Sequence, residues 1–447
     1  MMTSQPTVDG TRTVASTTVR KVTRRVIPFL ILLYIIAWLD RANVGFAALH
    51  MNADLGFSSG AFGLGSGIFF IGYLIFEVPS NLILHRVGAR LWIARIMVSW
   101  GLVSVAMMFV QTPWSFYLLR FLLGAAEAGF FPGVIYYLGL WYPSAQRTRA
   151  IAAFMAAIPF TGLIGGPLSG AILGLDGARG LAGWQWLFLL EGLPAIVVGF
   201  IVPLCLTDRP ERAAWLEAPE RDWLVATLAS ERRACDERRH LTLRAALTDR
   251  TVLWLGTLGI FTGMGFYAYT YWSPLIIQSI TGASDLNVGF IVAAISTAAA
   301  IGMLFNGAHA DHTRELPVHA AAGILVMAAG FVGCALLRTP LLALLALALV
   351  PIGWCAMLPP YWSIPSRILT GRSAAGGIAM INSIPCIGSF LGPTLIGYLQ
   401  QRTGTHHLAF LLLGGFTLLA AWIMLRLRSA CSAAEGGVKA LAVPEAA

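Results

Sequence analysis

Long apolar runs alternate with short polar breaks along this chain, twelve times over. Runs of about 20 residues, the length a helix needs to cross a hydrocarbon core, fall at 26–49, 61–84, 91–110, 115–140, 150–175, 185–206, 251–275, 285–308, 318–337, 341–364, 374–400 and 407–427. Charged residues cluster in the breaks, so the pattern predicts twelve transmembrane helices and an all-α membrane protein. One break is long. Residues 207–250, "TDRPERAAWLEAPERDWLVATLASERRACDERRHLTLRAALTDR", carry a helical pattern after Pro219 but are too few for a domain. The apolar Trp215, Leu216, Trp223, Leu224 and Leu228 suit helices lying on the membrane surface or against the bundle ends. This break divides the chain into an N-terminal tail (1–25), a six-helix half (26–206), a linker (207–250), a second six-helix half (251–428) and a C-terminal tail (429–447). Residues 1–20 and 429–447 read as disordered.

Composition agrees. Of 447 residues, 57% are hydrophobic and 11% charged, against about 25% charged in soluble proteins. The mean hydropathy is +0.74. The first 25 residues are polar and basic without a signal-peptidase site, so the first span is expected to be retained. Cys205, Cys235, Cys334, Cys355, Cys386 and Cys431 show no CxxC or Cys/His pattern, which indicates neither a metal site nor a disulfide framework. His309, His312 and His319 read as a solvated loop cluster. Of the 30 lysines and arginines, 25 lie in the two tails and the loops on their side. Only Arg179, Arg338 and Arg402 lie opposite, and Arg41 and Arg120 fall inside spans. By the positive-inside rule both termini are cytoplasmic. The net charge of +9 is thereby a topology signal, and no nucleic-acid partner is expected.

Two segments recur at one offset. "IPFTGLIGGP" (158–167) and "IPCIGSFLGP" (384–393) share IPxxGxxxGP, 226 residues apart. "NLILHRVGAR" (81–90) and "GAHADHTREL" (307–316), the loops after spans two and eight, are again 226 apart. Six spans repeated in the same orientation describe two halves about an axis normal to the membrane, with a substrate site at midplane between them.

With these features the chain resembles the major facilitator superfamily from about residue 24 to 428. Its loop signature GxxxDRxGRR is degenerate here: Asn81 and His85 replace the glycine and acid, while Arg86, Gly88 and Arg90 remain. In the second copy Gly307 and Asp311 are kept and Arg314 replaces the later glycine. "LDRANVGFA", "FEVPSNLIL", "RFLLGAAEAGFFPG", "DRPERAAWL" and "YWSIPSR" are similar to the anion:cation symporter branch, particularly its bacterial tartrate, phthalate and hydroxyphenylacetate permeases. The resemblance implies proton-coupled uptake of a small organic anion across the bacterial inner membrane by alternating access. It implies coupling roles for Asp40 and Glu127, anion binding by Arg41 and Arg120, and a cavity position for Tyr73.

The residues point the same way. A charge near the bilayer centre costs about 3 kcal/mol on the insertion scale, yet Asp40 and Arg41 stand side by side in span one. In span four Arg120 and Glu127 are seven residues apart, on one face and about 10 Å apart along the axis. Helix depth places the span-one pair between them, so a neutral four-group cluster is expected. A cluster kept only for packing would be a poor device, because desolvation offsets the Coulomb gain. Arginines holding a substrate carboxylate would free the acids to take protons, linking the two events. The second half has no Lys or Arg in the interior of its spans, and the 226 offset places Phe266 and Tyr267 opposite Asp40 and Arg41. It can offer Tyr267, Tyr271, Trp354, Tyr361, Trp362 and Asn382. Glu77 is expected to pair with basic loop residues. The GxxxGxxxG stripe of Gly162, Gly166 and Gly170 allows close helix approach; with Pro167, Gly392 and Pro393, which are expected to bend spans five and eleven, it is assigned to the rocking motion.

Other classes fit less well. No HExxH, GxSxG or DxxD arrangement marks an enzyme, and no repeated filter loop marks a channel. An efflux antiporter of the same superfamily is the remaining alternative. A monomer in membrane lipid is expected, with no cofactor and H+ as coupling ion, Na+ being the alternative. Hydroxylated carboxylates such as tartrate or sugar acids lead as substrates, followed by aromatic acids.

Overall fold

A computed structural model describes residues 8–155, 157–237, 250–368 and 380–441. The linker stretch 238–249, the start of span eleven at 374–379 and the tail ends 1–7 and 442–447 lie outside these. The described residues contain twelve helices long and apolar enough to cross a membrane: Val14–Asp54, Ser59–Val87, Ala89–Phe109, Pro113–Trp141, Ser144–Leu173, Gly183–Cys205, Arg250–Thr281, Asp285–Thr313, Leu316–Leu336, Pro340–Pro365, Met380–Thr403 and His407–Leu427. These are spans 1 to 12. Spans 2, 3, 4, 6, 7, 8, 9, 10 and 12 begin within two residues of their sequence-predicted starts; span 5 begins six residues earlier, and span 1 extends back into the tail.

The tails depart from expectation. The first helix starts at Val8 and the last runs to Leu441, so residues 8–20 and 429–441 are helical, not disordered. At the N-terminal side the cause is visible. Lys21 pairs with Glu217 at 2.9 Å and Glu220 at 2.8 Å, and Arg25 lies over the Trp215 ring at 5.2 Å. The linker helix Ala218–Glu237 thus lies against the bundle end. Trp215 stacks on Trp141, Leu216 and Leu224 are buried, and Glu231 accepts from the Ser144 amide and hydroxyl.

Span 4 is not one helix. It breaks after Glu127, with Ala128 extended and Gly129 at φ +87°. A side chain at Gly129 would also meet Ser80 Oγ at 2.4 Å, so the glycine answers both a left-handed backbone and a close contact. Spans 5 and 11 continue as helix through Pro167 and Pro393.

The two halves meet in the part of the bundle remote from the termini, and their pseudo-symmetry is explicit there. A Cβ at Gly63 in span 2 would lie 2.6 Å from Pro393 O in span 11. Its repeat mate Gly289 in span 8 would lie 2.2 Å from Gly166 O in span 5. Backbone rests on backbone at both contacts, which only small residues permit. A Cβ at Gly166 would in turn meet Gly289 O at 2.4 Å. Gly392 has a different neighbour: its Cβ would meet Met264 O of span 7 at 2.0 Å, a contact within the second half. At the remote rim His50 of span 1 lies 2.7 Å from Asp285 of span 8, and Gln401 of span 11 accepts from the Gly60 amide. This end is sealed.

A bulky residue at Gly166 would force the seal apart. Gly166→Leu is expected to cost about 1–3 kcal/mol at this contact by overpacking. It should lower both the thermal midpoint in detergent and the transport rate in vesicles, with Gly166→Ala intermediate; unchanged values for Leu would contradict the contact.

Candidate functional site

A cavity with about 150 Å³ of room for water-sized molecules lies between the halves, on the terminal side of Arg41. Spans 1, 2, 4 and 5 line it from one half and spans 7, 10 and 11 from the other. Its wall is largely aromatic. Trp38 stacks on Tyr267 with an interplanar angle of 5°, and Tyr361 and Trp362 close the opposite side. Arg41 is the single charged side chain in the wall, and Tyr73, Thr262, Asn382 and Ser389 add polar groups.

Arg41 is held on several sides. Its Nη2 pairs with Glu127 Oε1, and its Nη1 donates to the Tyr267 hydroxyl at 3.1 Å. Its guanidinium lies 5.1 Å from the Trp38 ring and 5.7 Å from the Tyr73 ring, a cation–π setting. Arg41 and Tyr267 are 226 residues apart, so the repeat places a cation and its neutral mate in contact across the pseudo-axis. Glu127 is 1% exposed, sits at the last helical residue before the Gly129 break, and leaves Oε2 without a partner. Arg41 Nε is unpartnered as well. The pair therefore keeps one acceptor and one donor in reserve, which is what an exchangeable pair requires and a saturated structural bridge would lack.

The expected four-group cluster does not form. Arg120 is fully buried and outside the cavity wall. It donates to Gly65 O at 3.4 Å and Ser66 O at 3.2 Å in span 2, and to the Tyr271 hydroxyl at 3.2 Å. Two arginines thus meet two tyrosines one turn apart on span 7, Arg41 on Tyr267 and Arg120 on Tyr271. Asp40 turns away from both. Consecutive helical residues diverge by about 100°, so Arg41 facing the cavity sends Asp40 toward span 3, where Ser104 donates to its Oδ1.

Glu77 also departs from expectation. It pairs with no basic loop residue. Asn382 Nδ2 donates to one of its oxygens at 2.7 Å and Ser383 Oγ to the other at 2.6 Å, bridging spans 2 and 11 across the halves on the terminal side. Its position one turn from Tyr73 brings it to the inter-half surface, where span 11 offers neutral donors. In the loop signature, Gly88 has φ +100° and the Arg90 amide donates to Asp208 at 3.0 Å, so the linker start locks this loop. Arg86 and Asp311 are exposed at helix ends. His319 is not solvated: it is 9% exposed, and its Nε2 lies 2.7 Å from His309 Nδ1, because it opens span 9 and faces span 8. Sequence reasoning passed over Glu191 in span 6, which is 3% exposed; an acid inside an apolar span was the available signal.

Comparisons with known proteins agree with this architecture. A profile of the Major Facilitator Superfamily matches residues 30–393. An Agrobacterium vitis protein named "Putative tartrate transporter" is 48% identical over 93% of this chain and 92% of its own length. A "Quinolone resistance transporter" of Acinetobacter baumannii is 42% identical over 86% of this chain and 89% of its own. Among solved structures, the xylose transporter XylE of E. coli in a partially occluded inward-open conformation superposes with a TM-score of 0.72 at 16% identity, covering 91% of this chain and 98% of that one.

Removing Glu77 would strand two polar side chains at the bridge. Glu77→Ala is expected to cost about 1–3 kcal/mol, seen as a lower thermal midpoint, and to show a coupling energy with Asn382→Ala in a double-mutant cycle. Additive effects would contradict the bridge.

Proposed function

The chain belongs to the Major Facilitator Superfamily, and we propose that this multi-pass membrane transporter imports a small organic anion together with protons. The excess of lysine and arginine on the terminal side supports a cytoplasmic placement of both termini in the bacterial inner membrane. The cavity then opens toward the cytoplasm and the sealed rim faces the periplasm.

The observation that carries the reading is the buried Arg41–Glu127 pair at the cavity wall. Arg41 is the anchor for a substrate carboxylate, whose two oxygens match the guanidinium fork. A carboxylate arriving there displaces Glu127, which loses its cation inside a low-dielectric site and takes a proton. Anion and proton each favour the other's binding. Arg120, held toward the periplasmic side on Tyr271, is a second anion contact in the outward-facing stage of the cycle. Tyr73, Tyr267 and Asn382 offer hydroxyl and amide groups to the remainder of the substrate. Asn382 also holds Glu77, so a substrate that engages Asn382 loosens the bridge between the halves.

A hydroxylated dicarboxylate such as tartrate is the first choice, supported by the named relative and by the polar groups set around a single cation. An aromatic acid is the second reading, favoured by the Trp38–Tyr267 stack in the wall. No cofactor enters the mechanism. The proton is the proposed coupling ion, with Na+ as the alternative, and the working unit is a monomer in lipid.

In reconstituted vesicles, acid outside is expected to drive accumulation of labelled tartrate, and apparent affinity should rise as external pH falls, by up to tenfold per unit for one coupled proton. Arg41→Ala should weaken binding by about 10- to 100-fold, the worth of a charged hydrogen bond. Glu127→Gln should abolish accumulation above equilibrium. Sodium-driven uptake, or outward pumping against an imposed gradient, would contradict the reading.

A further inference from the structure

A second set of buried acids lies within the first half, behind the cavity. Asp40 on span 1 is fully buried. Its Oδ1 accepts from Ser104 of span 3 and, at 3.4 Å, from Asn43. Its Oδ2 has no partner. Glu191 on span 6 has Oε1 bonded by Ser169 Oγ of span 5 at 2.7 Å, and its Oε2 has no partner. Asn43 faces both carboxyls. Beside them the Trp100 indole of span 3, on a fully buried ring, faces Asp40.

The charged groups facing these acids are few. Spans 3 and 5 contribute only the neutral Trp100, Ser104 and Ser169. Span 4 contributes Arg120 and Glu127, but Arg120 directs Nε and Nη2 to Gly65, Ser66 and Tyr271 and leaves Nη1 without a partner, and Glu127 is taken by Arg41. Among the described residues neither Asp40 nor Glu191 has an ion-pair partner. Two bare carboxylates in this setting would each leave an oxygen desolvated, a cost that the neutral Ser104, Asn43 and Ser169 donors do not offset. A proton on the unpartnered oxygen removes the charge.

We propose that Glu191, packed beside Asp40, is a further proton site away from the substrate, additional to the Asp40 and Glu127 positions that the family resemblance implies, and carries a proton that Glu127 does not. The proton enters from the periplasm, forms an O–H bond on the free carboxyl oxygen, and leaves to the cytoplasm when the carboxyl is rehydrated. The inference rests on the symport reading above, through Arg41. Asp40 and Arg41 occupy one helical turn, so an anion that shifts Arg41 shifts the Asp40 carboxyl against Ser104 and Asn43. The site is therefore linked to the cavity without touching the substrate.

The proton-to-anion ratio, measured in vesicles from the pH and anion gradients at which net flux vanishes, does not depend on how much protein is active. It should fall by one in Glu191→Gln, which can still accept the Ser169 hydroxyl. An unchanged ratio, or a ratio restored by Na+, would overturn the proposal. Infrared spectra of the purified protein test the site without any substrate. A protonated-carboxyl stretch present in the wild type and lost in Glu191→Gln is expected even if uptake proves not to be proton-driven, whereas absence of that band in the wild type would overturn the proposal. Should Glu191→Gln fail to fold, Ser169→Ala removes the donor that favours the charged form and should move the pH midpoint of that band upward; an unmoved midpoint would overturn the proposal.

Discussion

A guanidinium buried in hydrocarbon must find acceptors for its charge, and the cavity wall is arranged around that requirement at Arg41. The Glu127 carboxylate answers it from a helix that breaks one residue later. The Gly129 break, the aromatic faces of Trp38 and Tyr73 and the hydroxyl of Tyr267 complete the setting. Because burial makes an isolated charge costly, the pair has two low-energy conditions. Either the acid faces the base, or an external anion faces the base and the acid is neutral. Intermediate conditions, with one charge left alone, are penalised. That penalty is the physical content of the proposed coupling.

The repeat explains why the buried charge sits in one half. Both halves supply the same scaffold, with glycines at a 226-residue offset closing the seal remote from the termini at Gly63–Pro393 and Gly289–Gly166. Where the first half places Asp40 and Arg41, the second places Phe266 and Tyr267. Phe266 stacks on Trp354 at 3.6 Å, and Tyr267 takes a hydrogen from Arg41. One half thus carries the charge while the other is a neutral surface against which it works. Rocking the halves changes what Arg41 touches without moving a second charge through lipid.

Much of this was legible in the residues. Span number and placement followed from apolar run length, and the paired halves from two glycine–proline segments. That Arg41 and Glu127 should lie together followed from the cost of charges in lipid. What escaped was orientation. Spacing cannot say which way a helix is rotated about its axis, so Asp40 was grouped with Arg41 although adjacent residues diverge by about 100°. Arg120 was grouped with the acids although backbone carbonyls of span 2 lay nearer. Glu77 was assigned to its basic loop because local neighbours are visible in a sequence and cross-half donors such as Ser383 are not. The N-terminal tail read as disordered because the contacts of its helix with the linker segment are long-range.

The central claim is that an anion at Arg41 drives a proton onto Glu127. Adding tartrate or another binding carboxylate to the purified protein in weakly buffered solution, with an indicator dye, reads this directly. The account predicts that binding removes protons from solution, and that Glu127→Gln lowers the number taken up by one. Binding without proton uptake, or an uptake that Glu127→Gln leaves unchanged, would contradict it.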